Sequence, residues 1–115
     1  YLDPKLVRYV LNNLLSNAIK YSPPGTAVTF DLACAQREVV LQVRDQGIGI
    51  PSDDQPHIFE AFHRAHNVGS TPGTGLGLAI VKQSVDLHGG SIAFESEEGA
   101  GTTFTVTLPC ARRGE

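Results

Sequence analysis

Asn13 and Asn17 stand four residues apart in the stretch from Tyr9 to Ser22, and Lys20 and Tyr21 follow them. At about 100° per residue, these four side chains fall within an arc of roughly 100° on one helix. A carboxamide beside an apolar core is costly unless its donors and acceptors are occupied. With a lysine and an aromatic ring on the same edge, the expected occupant is an anion that also carries a ring.

Two further groups of residues fit such an occupant. Asp45 is followed by Gln46-Gly47-Ile48-Gly49-Ile50. A carboxylate accepts hydrogen bonds and donates none, which suits the exocyclic amino group of adenine and repels the carbonyl edge of guanine. Gly47 and Gly49 would let the backbone close against the base, although an aspartate in a glycine turn needs no ligand to explain it. Gly73-Thr74-Gly75-Leu76-Gly77-Leu78 leads into a helical pattern. Amides there can approach phosphate oxygens at the positive end of a helix dipole, and the same residues also suit a hinge. Position 78 is leucine, so the dinucleotide pattern GxGxxG fails, and no GxxxxGK[ST] occurs. Asn17 suits magnesium, which prefers hard oxygen donors and takes few protein groups besides nucleotide phosphates. Lys20 would then meet a phosphate, and Tyr21 would lie near base or ribose. A solvated helix face would explain Asn and Lys equally well taken alone. Their conjunction with the two glycine-rich segments argues against it.

The elements that must position these residues follow from periodicity. Asp3-Pro4 reads as an N-cap and first helical position. Leu6, Val7, Val10, Leu11, Leu14, Leu15, Ala18 and Ile19 then recur at helical spacing, up to a stop at Ser22-Pro23-Pro24-Gly25. Strands are predicted over Val28 to Ala33 and Val39 to Arg44, with Asp45 ending the apolar face of the second. A short helix is predicted over His57 to Phe62, a loop from Arg64 to Thr74, and a helix from Leu76 to Leu87 with His88 in its last turn. Ser91 to Ser96 and Thr102 to Leu108 form a hairpin. This segregation predicts an α+β two-layer sandwich.

Composition narrows the function classes. The chain has 115 residues, 41% hydrophobic and 18% charged, as expected for one globular domain. Net charge is −3, and no basic cluster exceeds Arg112-Arg113. A nucleic-acid groove or a basic membrane patch is therefore not expected. No apolar run approaches the about 20 residues of a membrane span, and no signal peptide is expected. Cys34 and Cys110 lack metal-ligand spacing and are expected as buried, reduced thiols of a cytoplasmic protein. The abrupt helix start suggests one domain, 1–115, excised from a longer protein.

In this order the motifs resemble the catalytic ATP-binding domain of bacterial sensor histidine kinases. That family belongs to the superfamily of gyrase, Hsp90 and MutL ATPases. Asn13 to Ser22 match its N box, Asp45 to Gly49 its G1 box, Ile58 to Arg64 its F box, Gly73 to Leu78 its G2 box, and Gly101 to Phe104 its closing strand motif. The resemblance implies the Bergerat ATP-binding fold, a mixed sheet backed by helices, with ATP between the N-box helix and a lid at about 64–74. It implies Asn13, Asn17, Lys20 and Arg64 in catalysis, with Mg2+ on Asn17. It implies nucleotide contacts from Asn13, Asn17, Lys20, Tyr21, Asp45, Gly47, Gly49, Ile50, Gly73, Gly75, Leu76, Gly77, Leu78 and Thr102, the last holding a water beside Asp45. Phe59 and Phe62 are expected to pack the base of the lid. The family also has a strand before the N-box helix, which Tyr1-Leu2 cannot supply, so exposed apolar surface is expected here.

Three functional classes remain: kinase, ATPase and inert scaffold. The superfamily's ATPases carry a glutamate as general base where this chain has Asn13, which takes no proton near neutral pH. A neutral imidazole is already nucleophilic, so transfer to histidine needs less from that position. The family's acceptor histidine is usually followed by Glu or Asp, and His57, His63, His66 and His88 are not. The acceptor is therefore expected on a separate dimerisation domain, with a response-regulator receiver domain downstream. The fragment is expected as a monomer and the parent protein as a homodimer, for which a membrane anchor is compatible with this reading.

Overall fold

A computed structural model of the chain describes residues 4–35, 37–60 and 77–109. Helix α1 spans Pro4–Lys20, and every fourth residue from Leu6 through Val10 and Leu14 to Ala18 is buried. The predicted cap Asp3 lies outside the described residues. Beyond the helix, the amide and hydroxyl of Thr26 both donate to the Pro23 carbonyl, at 3.3 and 2.6 Å. That turn closes the segment in which two successive prolines prevent further helix.

Helix α2 spans Gly77–Leu87. It ends in a Schellman motif: Gly90 N donates to Val85 O at 2.9 Å, Gly89 N to Asp86 O at 3.1 Å, and Gly89 has φ +77°. His88 Nδ1 lies 2.8 Å from the Ser84 carbonyl, so the histidine serves the helix end as expected. Between the two helices the expected short helix begins earlier and is tighter, a 3-10 turn at Gln55–His57. Pro56 has no N–H to donate and suits only the first positions of a helical segment. The predicted end at Phe62 lies outside the described residues.

Four strands, β1 Thr29–Ala35, β2 Glu38–Arg44, β3 Ser91–Glu97 and β4 Gly101–Pro109, form one sheet in the order β1-β2-β4-β3. Every pairing among the described residues is antiparallel, which corrects the expectation of a mixed sheet. β2 and β3 do run parallel, since each opposes β4. The β3–β4 hairpin inserts β4 between them, so they never share hydrogen bonds.

The sheet buries one face. Val39, Leu41 and Val43 of β2 and Phe104, Val106 and Leu108 of β4 pack beneath Leu6, Val10, Leu14 and Ala18 of α1 and Val81 and Val85 of α2. The other face carries Gln42, Thr103, Thr105 and Thr107, and Gln42 Nε2 donates to Thr105 Oγ1 at 3.3 Å across the strands. Such alternation is usual for an antiparallel sheet covered on one side. The helices lie against β2 and β3 and leave β1 at the margin. Phe30 and Leu32 oppose the buried Val43 and Leu41, yet are 40% and 56% exposed. Cys34 shares their face opposite Val39 and is also exposed, which corrects the expectation of a buried thiol. No helix among the described residues covers that edge strand. Cys110 lies outside the described residues.

Leu41 is wholly buried at the centre of this face. Leu41→Ala is expected to cost about 2–5 kcal/mol of stability, read by chemical denaturation.

Candidate functional site

Asp45 leaves β2 and immediately joins it to β4. Its amide donates to Thr102 O at 2.9 Å, and its Oδ1 accepts from Thr102 N at 3.2 Å and from Gly47 N at 2.8 Å. One carboxylate oxygen thus builds an Asx turn and holds the start of β4. Among the described residues no hydrogen bond engages Oδ2. The structural and ligand readings of Asp45 divide between its two oxygens.

The turn after Asp45 is fixed on both sides through its backbone. Ile48 N donates to the Tyr21 carbonyl at the end of α1, at 3.2 Å, and Ile48 O accepts from Gly99 N in the β3–β4 turn, at 2.8 Å. A Cβ at position 47 would stand 2.5 Å from that same Tyr21 oxygen, and one at position 49 would strike the Glu97 carbonyl. Gly49 also has φ +71°, which L side chains rarely adopt. Both glycines are therefore required by close approach of protein backbone, before any base is considered. Ile50 N then donates to Ser96 Oγ at 2.8 Å, and Gln55 Nε2 donates to Ile50 O at 3.0 Å and Ser96 O at 3.2 Å.

The polar edge of α1 faces the start of α2. Asn13 Nδ2 donates to Tyr9 O at 2.9 Å, one turn back, and a Cβ on Gly77 would lie 3.0 Å from Asn13 Oδ1. Only glycine fits there without displacing the carboxamide. Asn17 is half-buried one turn further, and no hydrogen bond among the described residues engages its side chain. Its carbonyl oxygen is a hard, neutral donor suited to magnesium. Lys20 is exposed, with Nζ 5.8 Å from the centroid of the half-buried Tyr21 ring, within cation–π range. Leu78 packs against the core. Phe59 meets Phe94 edge-on at 5.9 Å, so it packs on the sheet. Arg64, Gly73, Gly75, Leu76, Phe62 and the expected lid at 64–74 lie outside the described residues.

The fold therefore connects Asn13 to Gly77, and Tyr21 through Gly47 and Ile48 to Asp45 and Thr102. An open depression of about 410 Å³ touches Asp45 and Thr102 from the hairpin side, with Arg44, Glu95 and Glu97 also lining it. Its two glutamates would repel a triphosphate, so the polar edge of α1 is the better anion site. Sequence reasoning missed Ser96, Gln55 and the buried Asp54, which is 1% exposed. Ser96 carried a usable signal: a hydroxyl in the inward alternation of Ile92 and Phe94.

A family model described as histidine kinase-, DNA gyrase B- and HSP90-like ATPase matches residues 2–112. The chain belongs to that ATPase family. Its relatives refine the assignment to a catalytic ATP-binding domain of the sensor histidine kinase type. It is 46% identical over 112 residues to the sensor histidine kinase WalK of Bacillus subtilis, covering 94% of this chain and 18% of WalK. It is 46% identical over 109 residues to the sensor-like histidine kinase SenX3 of Mycolicibacterium smegmatis, covering 93% of this chain and 28% of SenX3. The chain thus spans under a third of either relative's length. Among solved structures, the mycobacterial sensor histidine kinase MprB superposes with a TM-score of 0.83 at 38% identity, covering 94% of this chain and 74% of that one. Full-length ShkA in complex with AMPPNP gives a TM-score of 0.78 at 30% identity, covering 93% of this chain and 22% of ShkA. The two-layer α+β architecture of this chain agrees with these neighbours.

Since Gly47 abuts the Tyr21 carbonyl, Gly47→Ala should push α1 and the turn apart. A loss of about 1–3 kcal/mol in denaturant unfolding is expected.

Proposed function

We propose that this chain binds Mg-ATP between the polar edge of α1 and the segment at 64–74. It donates the γ-phosphoryl group to a histidine on a separate dimerisation domain of the same protein. A response-regulator receiver domain then takes the group in two-component signalling. The observation that carries the reading is the unengaged Oδ2 of Asp45, held by a turn whose other bond reaches the end of the Asn13–Asn17 helix. An acceptor-only oxygen at one end, and at the other the Asn17 carboxamide and the Asn13 carbonyl oxygen, suit an adenine and a magnesium-bound triphosphate respectively. The nucleotide analogue bound to the neighbour ShkA supports the same ligand class.

Each residue then has a task. Asp45 Oδ2 accepts from the exocyclic amino group, while Oδ1 keeps the turn. Asn17 would hold a magnesium ion through its carbonyl oxygen, and bound there the metal neutralises phosphate charge. Lys20 is exposed and long enough to leave the Tyr21 ring for a phosphate. Amides at Gly75 to Leu78, where α2 begins, would cradle the phosphates, and Arg64 would reach the γ-phosphate or the acceptor domain. Asn13 is no base: its Nδ2 is committed to Tyr9 O, which leaves a weakly basic carbonyl oxygen toward Gly77. That favours transfer to an imidazole, which needs no deprotonation, over activation of water. Among the described residues, His57 pairs with Glu60 and His88 serves the end of α2. The chain is read as one cytoplasmic domain of a longer, homodimeric protein. No helix among the described residues is long and apolar enough to cross a membrane.

Titration with a fluorescent ATP analogue tests this. Asp45→Asn keeps an acceptor for Gly47 and Thr102 but turns a donor toward the base, so affinity should fall about tenfold or more. Asn17→Ala should chiefly abolish the dependence on Mg2+. Unchanged binding in both variants would refute the site, and no binding by the wild type would leave a scaffold. Incubated alone with Mg-ATP, the chain should form no phosphohistidine, and Asn13→Glu should raise ATP hydrolysis above the wild-type rate.

A further inference from the structure

Ser96 Oγ makes three polar contacts at once. It accepts from Ile50 N at 2.8 Å, donates to Gly101 O at 3.1 Å and lies 2.8 Å from Thr102 Oγ1. A serine hydroxyl has one hydrogen and two lone pairs. The Ile50 amide must be accepted, which takes one lone pair. The Gly101 carbonyl must receive a hydrogen, which takes the only one. The Thr102 contact then uses the second lone pair, so the hydrogen between the hydroxyls belongs to Thr102. Thr102 is 7% exposed, and its amide is already committed to Asp45 Oδ1.

We infer that Ser96 is a specificity-determining positioning residue: by taking the Thr102 hydrogen, it leaves Thr102 and Asp45 as an acceptor-only edge. Thr102 keeps two lone pairs, Asp45 keeps Oδ2, and no hydrogen of either side chain faces a ligand. A group that meets both must bring its own hydrogens. The 6-amino group of adenine has two, and a 6-oxo purine has none on that atom. Ser96 touches no base itself and acts through the hydroxyl it orients. The same Ser96 oxygen holds the Ile50 amide, which keeps the turn after Asp45 in register with the hairpin. The inference rests on the nucleotide reading above and adds to it a second source of purine selectivity beside the Asp45 carboxylate.

In Ser96→Ala the Thr102 hydroxyl loses its acceptor and is free to turn its hydrogen toward the ligand, where it can donate to a 6-oxo group. Affinities of the 115-residue chain for ATP and inosine triphosphate, measured by calorimetry, supply the test. Ser96→Ala should lower the ATP-to-inosine-triphosphate affinity ratio about fivefold, the worth of one neutral hydrogen bond. In a Thr102→Val background, the same change should leave the ratio unaltered. A fall in melting temperature with the ratio intact would make Ser96 merely structural and overturn the inference. Should Ser96→Ala fail to fold, Thr102→Val alone decides: the ratio should drop by a similar factor, and an unchanged ratio overturns the inference. Wild type that discriminates between the purines with Ser96→Ala unaffected sinks only this inference. Wild type that binds neither sinks the nucleotide reading as well.

Discussion

The site depends on one short run of backbone, the turn from Asp45 to Ile50, tied on both sides by its own amides and carbonyls. Ile48 joins the end of α1, through the Tyr21 carbonyl, to the β3–β4 turn, through the Gly99 amide. Buried or half-buried backbone polar groups must find partners, so a turn lodged between a helix end and a hairpin is set by theirs. Glycine at 47 and 49 follows from the same constraint, since any side chain would meet a carbonyl. The carboxylate at the head of the turn inherits its position from this arrangement. One of its oxygens holds the turn, and among the described residues no hydrogen bond engages the other.

The layers set this end of the molecule apart from the others as the candidate site. α1 has two unlike margins beside its buried stripe. Leu11 and Leu15 are half-buried on one side, leading to the exposed Ile19, while Asn13, Asn17 and Lys20 occupy the other. The carboxamide margin meets Gly77 of α2, so that polar edge lies between two helices above an apolar sheet. A half-enclosed polar margin of this kind favours a ligand that is itself charged and hydrogen-bonding. At the far margin the helices stop short of β1, and Phe30 and Leu32 remain open although their pleat positions are those of core residues.

Much of this was legible in the sequence. The period of α1, the two hairpins, the carboxamide edge and the aspartate before a glycine turn are local patterns, and local patterns survive without tertiary information. The resemblance to the histidine-kinase domain rested on the same motifs in order, and the comparisons agree with it. What sequence reasoning got wrong was relational. Cys34 alternates like a core residue, and only the reach of the helical layer decides that its side of the strand is bare. The mixed sheet was implied by the family resemblance, and the position of β4 decides that the parallel β2 and β3 never touch.

Residue types and spacing by themselves determined which side chains could meet an adenine, a phosphate and a metal, because hydrogen-bonding capacity is a property of the side chain alone. The tertiary structure decided how that capacity is spent. It assigned one oxygen of Asp45 to the turn, tied Asn13 back to Tyr9, and brought the Ser96 hydroxyl within 2.8 Å of that of Thr102. Such assignments depend on which donor stands within hydrogen-bonding distance of which acceptor, and Asp45 and Thr102, 57 residues apart, are brought that close only by folding.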